Sequence, residues 1–571
     1  MSIDTSMDRR GFIAGSLAAG AAAALGLAGC AAPTSSDKKD ASGEEKTPQS
    51  NNADWLGEAP TINESDIVET IDTEVLVVGA GCSGLVAANF SAAEGAKTLL
   101  IEKYDMGTGL RGSGIGAVGS RKQKEAGVDI DPLEICNDLV HYSLNNSNMD
   151  LHRLWADHSG EAVDWYCDLV DGVDLCRIDL EWNMPTEKTR YKCWPTGHGA
   201  MLDNGKTGKD DASAEGVTYK VIEGNFKSMP NAELRYNTAL ECLIKEDGKV
   251  VGAYATNADG KYIRINASKG VIVATGGYAN NPEMLAALQP ELMKSLIGVV
   301  PFPNFNAQGQ GIKAGAVKDA QPTAMIFDRG IMRPDQRPGD PFAMDFGYFH
   351  MATQPFLKVD MDGKRITNES SPYDFLIHAL SNRTERSWID VWDSNWPEDI
   401  DRFHTVGCST LIKREGTNQM DPEGIEGTAA IIDSLVESGQ IVKADTLGEI
   451  AEAFGLDKET FEATVEQYNG FYDAQKDTQY GKEAFRLSSL RKPPFYACKL
   501  AGMLLCTLDG IRINTNFQAL DADANPIEGL YVIGNDSGDY YNGTYPNLAA
   551  GLNAVRCVTF GMLCGKHVAN L

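Results

Sequence analysis

Gly79, Gly81 and Gly84 stand in the spacing G-x-G-x-x-G, with Ala80 and Ser83 between them, and the next apolar run ends on Glu102 and Lys103. These residue types suit one task, holding the pyrophosphate and ribose of a dinucleotide. Gly79 permits a tight turn, Gly81 lets backbone approach phosphate, and Gly84 lets a helix pack closely on a strand. A helix that starts at such a turn offers free N–H groups and the positive end of its dipole to the phosphates. Glu102 is placed to accept hydrogen bonds from ribose hydroxyls. The glycines alone are weak evidence, since glycine turns are common. What strengthens them is the order of elements around them: an apolar strand at residues 75–78, a helix of small residues over 85–92, and a second strand at 99–101 ending on the acid. Which dinucleotide is bound stays open on these residues.

Two more glycine-rich stretches are candidates for the same cofactor. Gly112, Ser113 and Gly114 offer backbone amides and a hydroxyl, although a glycine loop with no ligand reads equally well there. A meander over residues 232–277 has hairpin turns at Asp247-Gly248 and Asp259-Gly260. It closes on a buried strand and a second turn, Ala274, Thr275, Gly276 and Gly277. Helical periodicity covers residues 133–139 and 151–169, and the polar stretch that follows carries no readable function.

The chain of 571 residues is long enough for two or three domains, and its formal net charge of −29 argues against nucleic acid as a partner. None of the twelve cysteines forms C-x-x-C, so ribbon, ferredoxin and haem-attachment motifs are missing. A cluster held by scattered thiols such as Cys167, Cys176 and Cys193 has no motif behind it, and buried free thiols are the simpler reading. Residues 1–30 have the layout of an export signal: Arg9-Arg10 before Gly11-Phe12-Ile13 resembles a twin-arginine motif, and Leu27-Ala28-Gly29-Cys30 resembles a lipobox. The expectation is an exported protein on the extracytoplasmic face of the membrane or in the periplasm, held by a lipid on Cys30 if that residue is acylated. Residues 31–70, polar and proline-containing, read as a disordered tether.

Taken in order, the glycine turn, VIVATGGYANNPEML and the late GLYVIGN resemble the flavoprotein superfamily of fumarate reductase, succinate dehydrogenase and 3-ketosteroid dehydrogenases. So do GQGIKAG at 309–315 (with Gln310 where the family has Asp), DGKRITNESSPYD at 362–374 and the helical segment at 460–482. The resemblance implies an α/β fold, with a Rossmann-like FAD-binding domain interrupted by an α+β clamp domain over the substrate. The boundaries expected are 71–324 and 500–571 for the FAD domain and 325–499 for the clamp. It also implies bound FAD, with Gly534 and Asn535 of the late motif and Gly551 near the start of the last helix among its contacts. No His stands in the family's attachment position after the glycine turn, so the flavin is expected to be non-covalent.

Departures from the family speak to the substrate. Its dicarboxylate enzymes clamp two carboxylates with arginines and a histidine, yet this chain has Tyr373 after its N-E segment, Cys506 before Thr507-Leu508-Asp509-Gly510, and no Arg between Tyr540 and Val555. Each such Arg–carboxylate pair is a strong charge-assisted contact, so fumarate and succinate are not expected as substrates. Arg329 and Arg333 remain as alternative cations for the pocket, although surface charge is their blander role. Asn368-Glu369-Ser370-Ser371-Pro372-Tyr373 and Gly543-Thr544-Tyr545-Pro546 look like the two tyrosine motifs of 3-ketosteroid dehydrogenases. Carried over, Tyr373 is the acid/base and Tyr545 polarises a carbonyl; the alternative for each is a ring packed at a domain interface.

The function expected is an exported reductase that passes hydride to a C=C bond conjugated to a carbonyl, on a steroid-like or other unsaturated small molecule. In style it resembles the exported flavin reductases of anaerobic bacteria, such as cardiac glycoside reductases. Its electrons are expected from a membrane-linked cytochrome or quinol-linked donor. Two alternatives stand beside it: a 3-ketosteroid dehydrogenase running oxidatively, and a flavin electron-transfer module with no substrate of its own.

Overall fold

The computed structural model describes residues 54–107, 114–171, 176–180, 191, 193–202, 214–299, 308–339, 347–403, 411 and 424–571. The expected signal, Cys30, Gly112 and Ser113 lie outside these residues. Strand β1 (Ile67–Val78) leads through the first glycine turn into helix α1 (Cys82–Ala93) and strand β2 (Thr98–Ile101). Pairing in β1 begins at Ile67, so ordered structure already starts within the stretch read as tether. Helices α2 (Pro132–Tyr142) and α3 (Met149–Val170) follow, near the spans that periodicity indicated. Asp131 caps α2 and Asn148 caps α3, each side chain accepting from a first-turn amide.

Strand β3 (Ala232–Arg235) precedes a hairpin, β4 (Ala239–Glu246) and β5 (Lys249–Thr256), and then β6 (Tyr262–Val273). The hairpin turn places Asp247 at φ 48° and Gly248 at φ 87°. Both are left-handed, as the expected Asp-Gly turn requires. Strand β7 (Ala324–Met332), helix α4 (Tyr373–Ala379), strand β8 (Trp388–Asp393) and helix α5 (Lys458–Asp473) fall in or at the edge of the segment expected as the clamp. Strand β9 (Phe495–Thr507) returns from it, β10 (Pro526–Val532) rejoins the first domain, and helix α6 (Leu552–Ala569) ends the chain.

Two sheets organise these elements. In the first, β10, β6, β1, β2 and β3 run parallel in that order. Val75–Val78, apolar throughout and β-branched except at Leu76, are buried on both faces, as the centre of a parallel sheet demands. In the second, β9 is central, antiparallel to β7 on one side and β8 on the other. It runs to Thr507, past the boundary expected at 499, and so carries the clamp sheet into the first domain. Met325, Phe327 and Tyr373 pack into the core cluster of the FAD-binding domain, whereas Trp388, Trp392 and Phe403 belong to a second cluster that also takes in Tyr278, Leu285 and Leu296. The substrate wall of the clamp is therefore anchored on the cofactor domain.

Candidate active site

The first turn is shaped by contacts that leave no room for side chains. Gly79 has φ 102°, and a Cβ there would lie 2.6 Å from the Ala274 carbonyl oxygen. A Cβ on Gly84 would lie 1.9 Å from the Gly79 oxygen. Gly81 is the N-cap of α1, and Ser83 is buried in its first turn. The buried Glu102 carboxylate closes the loop, Oε2 accepting from the Ala80 amide at 2.8 Å and Oε1 from the Tyr104 amide at 3.1 Å. Burial pushes this carboxyl up, against the pull of those amides, and burial pushes Lys103 down to about 8 despite the charge of Glu102. Ala80, Gly81, Ser83, Gly84 and Glu102 thus converge on the end of β1, as the sequence spacing implied.

The second turn is built differently. The amides of Thr275, Gly276 and Gly277 and the Thr275 hydroxyl all donate to one buried carboxylate, Asp536, with the Gly277 amide at 2.9 Å. Asp536 was not singled out in the sequence, although it follows Gly534-Asn535. Gly534 lies over α1, where a Cβ would meet the Ser83 hydroxyl at 2.3 Å. Asn535 accepts from Asn553 at 3.0 Å and from Arg556 at 3.1 Å.

A third junction is made by close packing of backbone. The Gly116 amide donates to the Gly551 oxygen at 2.9 Å, and the Thr196 hydroxyl to the Ala550 oxygen at 2.8 Å. A Cβ on Gly551 would lie 2.2 Å from the Gly114 oxygen. Gly551 is the left-handed N-cap of α6, at φ 73°, which is why that helix begins at Leu552. The positive end of α6 points at this junction. A tight glycine turn at one helix N-terminus, a buried acid that closes it and a backbone junction at a second helix N-terminus are the features that would hold FAD. Among the described residues no group of His, Cys, Asp or Glu is arranged to hold a metal ion.

Beside the junction, a cavity opens between the domains. The cofactor domain contributes Gly114, Tyr545, Asn547, Gly551 and Asn553, and the clamp contributes Met325, Pro355, Glu369, Ser370, Tyr373 and Arg486. The two tyrosines proposed from sequence thus line one space. Tyr373 begins α4, and its ring meets Phe327 in a T-shaped contact at 5.2 Å between centroids. Tyr545 tilts against Tyr541 at 5.4 Å. The Ser370 hydroxyl is buried at the cavity with no protein partner among the described residues, which leaves it for a bound molecule.

The cation of this cavity is a correction. Arg329, read first as surface charge and only alternatively as a pocket cation, is buried behind the cavity, its Nε donating to the hydroxyl of the lining residue Thr353 at 2.8 Å. Arg333 lies just beyond β7 and does not line the cavity. The guanidinium that does is Arg486, almost wholly buried, donating from Nε to the Phe403 oxygen at 3.1 Å and lying 3.6 Å from Glu483. Burial presses its pKa down, and Glu483 opposes that. Arg556, one residue beyond the stretch found empty of arginine, is buried on α6 over the rings of Tyr540 and Tyr541. It donates to Ser537, Asn535 and Asn553, and it stands behind the cavity wall. Cys506 is buried and accepts from Asn553 at 3.8 Å, so it touches a wall residue without lining the cavity itself.

The chain is similar to the vinyl phenol reductase of Lactiplantibacillus plantarum, 25% identical over 508 residues that span 86% of this chain and 95% of that protein. It is similar to the fumarate reductase (cytochrome) of Shewanella frigidimarina, 25% identical over 543 residues that span 90% of this chain and 78% of that one. In fold it resembles the 3-ketosteroid Δ1-dehydrogenase of Sterolibacterium denitrificans, with a TM-score of 0.68 at 18% identity, over 87% of this chain and 99% of that chain. Residues 74–552 match the FAD binding domain family, and the chain belongs to it as an FAD-dependent oxidoreductase.

Proposed function

We propose that this chain is an exported reductase of a carbon–carbon double bond conjugated to a carbonyl group. The observation that carries the reading is the cavity, where Tyr373, Tyr545 and Arg486 face one space beside the Gly114–Gly551 junction. FAD held by the Gly79–Gly84 turn, Glu102 and the Gly114–Gly551 junction would supply, when reduced, the hydride for the β-carbon of the substrate. As negative charge builds on the carbonyl oxygen, Tyr545, Asn547 and Arg486 are the donors available to stabilise it. Tyr373 delivers a proton to the α-carbon; a neutral phenol, with an ordinary pKa of about 10, holds that proton until it is needed. Met325, Pro355 and Pro372 give the cavity apolar surface that excludes water. Among the described residues a single guanidinium lines the cavity, which suits an enone or an unsaturated monoacid and leaves a second carboxylate unmatched.

Export is supported by the twin-arginine-like and lipobox-like stretches, with Cys30 the anchor when acylated. The named cytochrome-linked relative supports a cytochrome or quinol-linked donor for the electrons. The test is anaerobic. The protein is reduced with a viologen dye and offered enones, unsaturated monoacids and fumarate, with the flavin spectrum as readout. Reoxidation by members of the first two classes, and not by fumarate, is the expected result. Reaction only with saturated ketosteroids and an artificial acceptor overturns the direction. Arg486→Met is expected to raise KM for an unsaturated monoacid about tenfold, the loss of one charged hydrogen bond, with kcat changed less. An unchanged KM removes Arg486 from substrate recognition.

A further inference from the structure

We propose that Asp374 is a positioning residue that fixes Tyr373 and Tyr545 relative to each other by tying the clamp to the loop before α6. This rests on the reading of the two tyrosines given above. Asp374 directly follows Tyr373 on α4 and is buried. Its Oδ1 accepts from the Asn547 side-chain amide at 2.5 Å. Its Oδ2 accepts from the Thr544 hydroxyl at 3.3 Å and from the Tyr142 hydroxyl of α2 at 3.4 Å, two longer bonds. Thr544 and Asn547 bracket Tyr545 in the chain. One carboxylate therefore joins the backbone that carries each phenol, across the boundary between domains.

The neighbouring contacts run the same way. Phe375 stacks on Tyr142 at 5.2 Å, and the Tyr191 hydroxyl meets Ser371 at 2.8 Å, so the start of α4 is held from both sides. Among the described residues Asp374 has no ion-pair partner. It is faced by Tyr142, Thr544 and Asn547 and by the amides of Asp374 and Phe375. Burial pushes the carboxyl up to about 7, against the pull of Asn547 and the nearby amides. The folded-state pKa is thus above the unfolded value, and the sign follows. Stability from this group is fully present below the unfolded pKa and is lost as pH rises through about 7. The ionised carboxylate, which accepts from all three neighbours, costs stability while ordering the site, as a group kept for position would.

The test is Asp374→Asn in the FAD-loaded protein. Its oxidative half-reaction with an enone accepted by the wild type is expected to slow at least tenfold, while FAD content and reduction by viologen stay unchanged. A limb near pH 7 in the wild-type rate should vanish. Thermal stability at pH 8 should equal or exceed that of the wild type, and amide exchange at residues 373–379 and 543–548 should quicken. A merely structural role predicts the reverse, lower stability with FAD lost alongside activity. If Asp374→Asn does not fold, Thr544→Val serves, removing one donor outside the cavity lining; a rate within twofold of the wild type overturns the proposal. A wild type that no enone reoxidises defeats the reading of the tyrosines, whereas an active wild type matched by Asp374→Asn defeats only the positioning role.

Discussion

Tyr373→Phe is expected to slow the oxidative half-reaction on the order of a hundredfold or more, with little change in folding. The substitution removes one hydroxyl and keeps the ring. The ring is what packs: it meets Phe327 edge-on and belongs to the core cluster that joins clamp and cofactor domain. Phe preserves that contact and its buried area, so stability should change by roughly 1 kcal/mol or less, the usual scale of one hydrogen bond. The rate is another matter. A positioned general acid contributes about 10²–10⁴-fold, and the other described cavity groups are engaged: Tyr545 is given to the carbonyl oxygen in this reading. Glu369 is tied to Arg365 and Lys482, and Arg486 is a poor proton donor because guanidinium scarcely deprotonates. The measurement is anaerobic stopped-flow with pre-reduced protein, with rate constants for reduction and reoxidation taken separately. Loss confined to reoxidation supports the acid. An unchanged reoxidation rate leaves Tyr373 as a packing residue and favours an electron-transfer role for the chain.

The cofactor turn was legible in the sequence because its chemistry is local. Strand, glycines, helix and acid follow one another within residues 75–102, and they meet at the end of β1, with a 1.9 Å approach at Gly84 that no side chain would allow. The tyrosines were legible only by resemblance to motifs, since nothing near either residue says that Pro372-Tyr373 and Tyr545-Pro546 meet. Arg486 was missed because its placement is tertiary. It sits in a short turn between Phe485 and Leu487, and only the return of the chain toward β9 brings it to the cavity. A lone arginine between apolar residues was the available signal, and it is a weak one. Asp536 and Asp374 were missed for a related reason: an acid beside a functional residue reads as solvated until burial and its donors are seen. The helix start at Leu552 depended on one dihedral angle, the left-handed Gly551, which spacing does not reveal.

The largest stability effect is expected from Arg365→Met, in a network that holds both clamp walls of the cavity. The Arg365 guanidinium, fully buried, donates to Glu369 through Nε and Nη2 at 2.8 Å each, and to Asp477 at 3.1 and 2.9 Å. The rings of Tyr468, Phe471 and Tyr480 surround it at 5.1 to 5.5 Å. Lys482 lies 3.5 Å from Glu369 and donates to the Pro355 oxygen, and both Glu369 and Pro355 line the cavity. Burial alone would raise the Glu369 carboxyl, but Lys482 and Arg365 hold it below the ordinary carboxylate range. Asp477 is likewise depressed: burial works against it, and Arg365 with the Lys482 and Tyr480 amides outweighs that. Methionine keeps the stem and removes the charge, leaving two carboxylates against one ammonium. Breaking a buried ion pair in this way costs about 3–5 kcal/mol. The expected signature is early loss of the clamp in a urea titration, read by proteolytic cutting within residues 325–499, with FAD retained at denaturant levels the wild-type clamp survives. The pH dependence has a definite sign. Depressed carboxylates contribute stability above their unfolded pKa and lose it as pH falls through the folded value. Wild-type clamp stability should therefore fall in acid, and Arg365→Met should flatten that fall because its deficit is already present at pH 7. Equal clamp stability of variant and wild type at pH 7 would show that the network shapes the cavity without holding the clamp together.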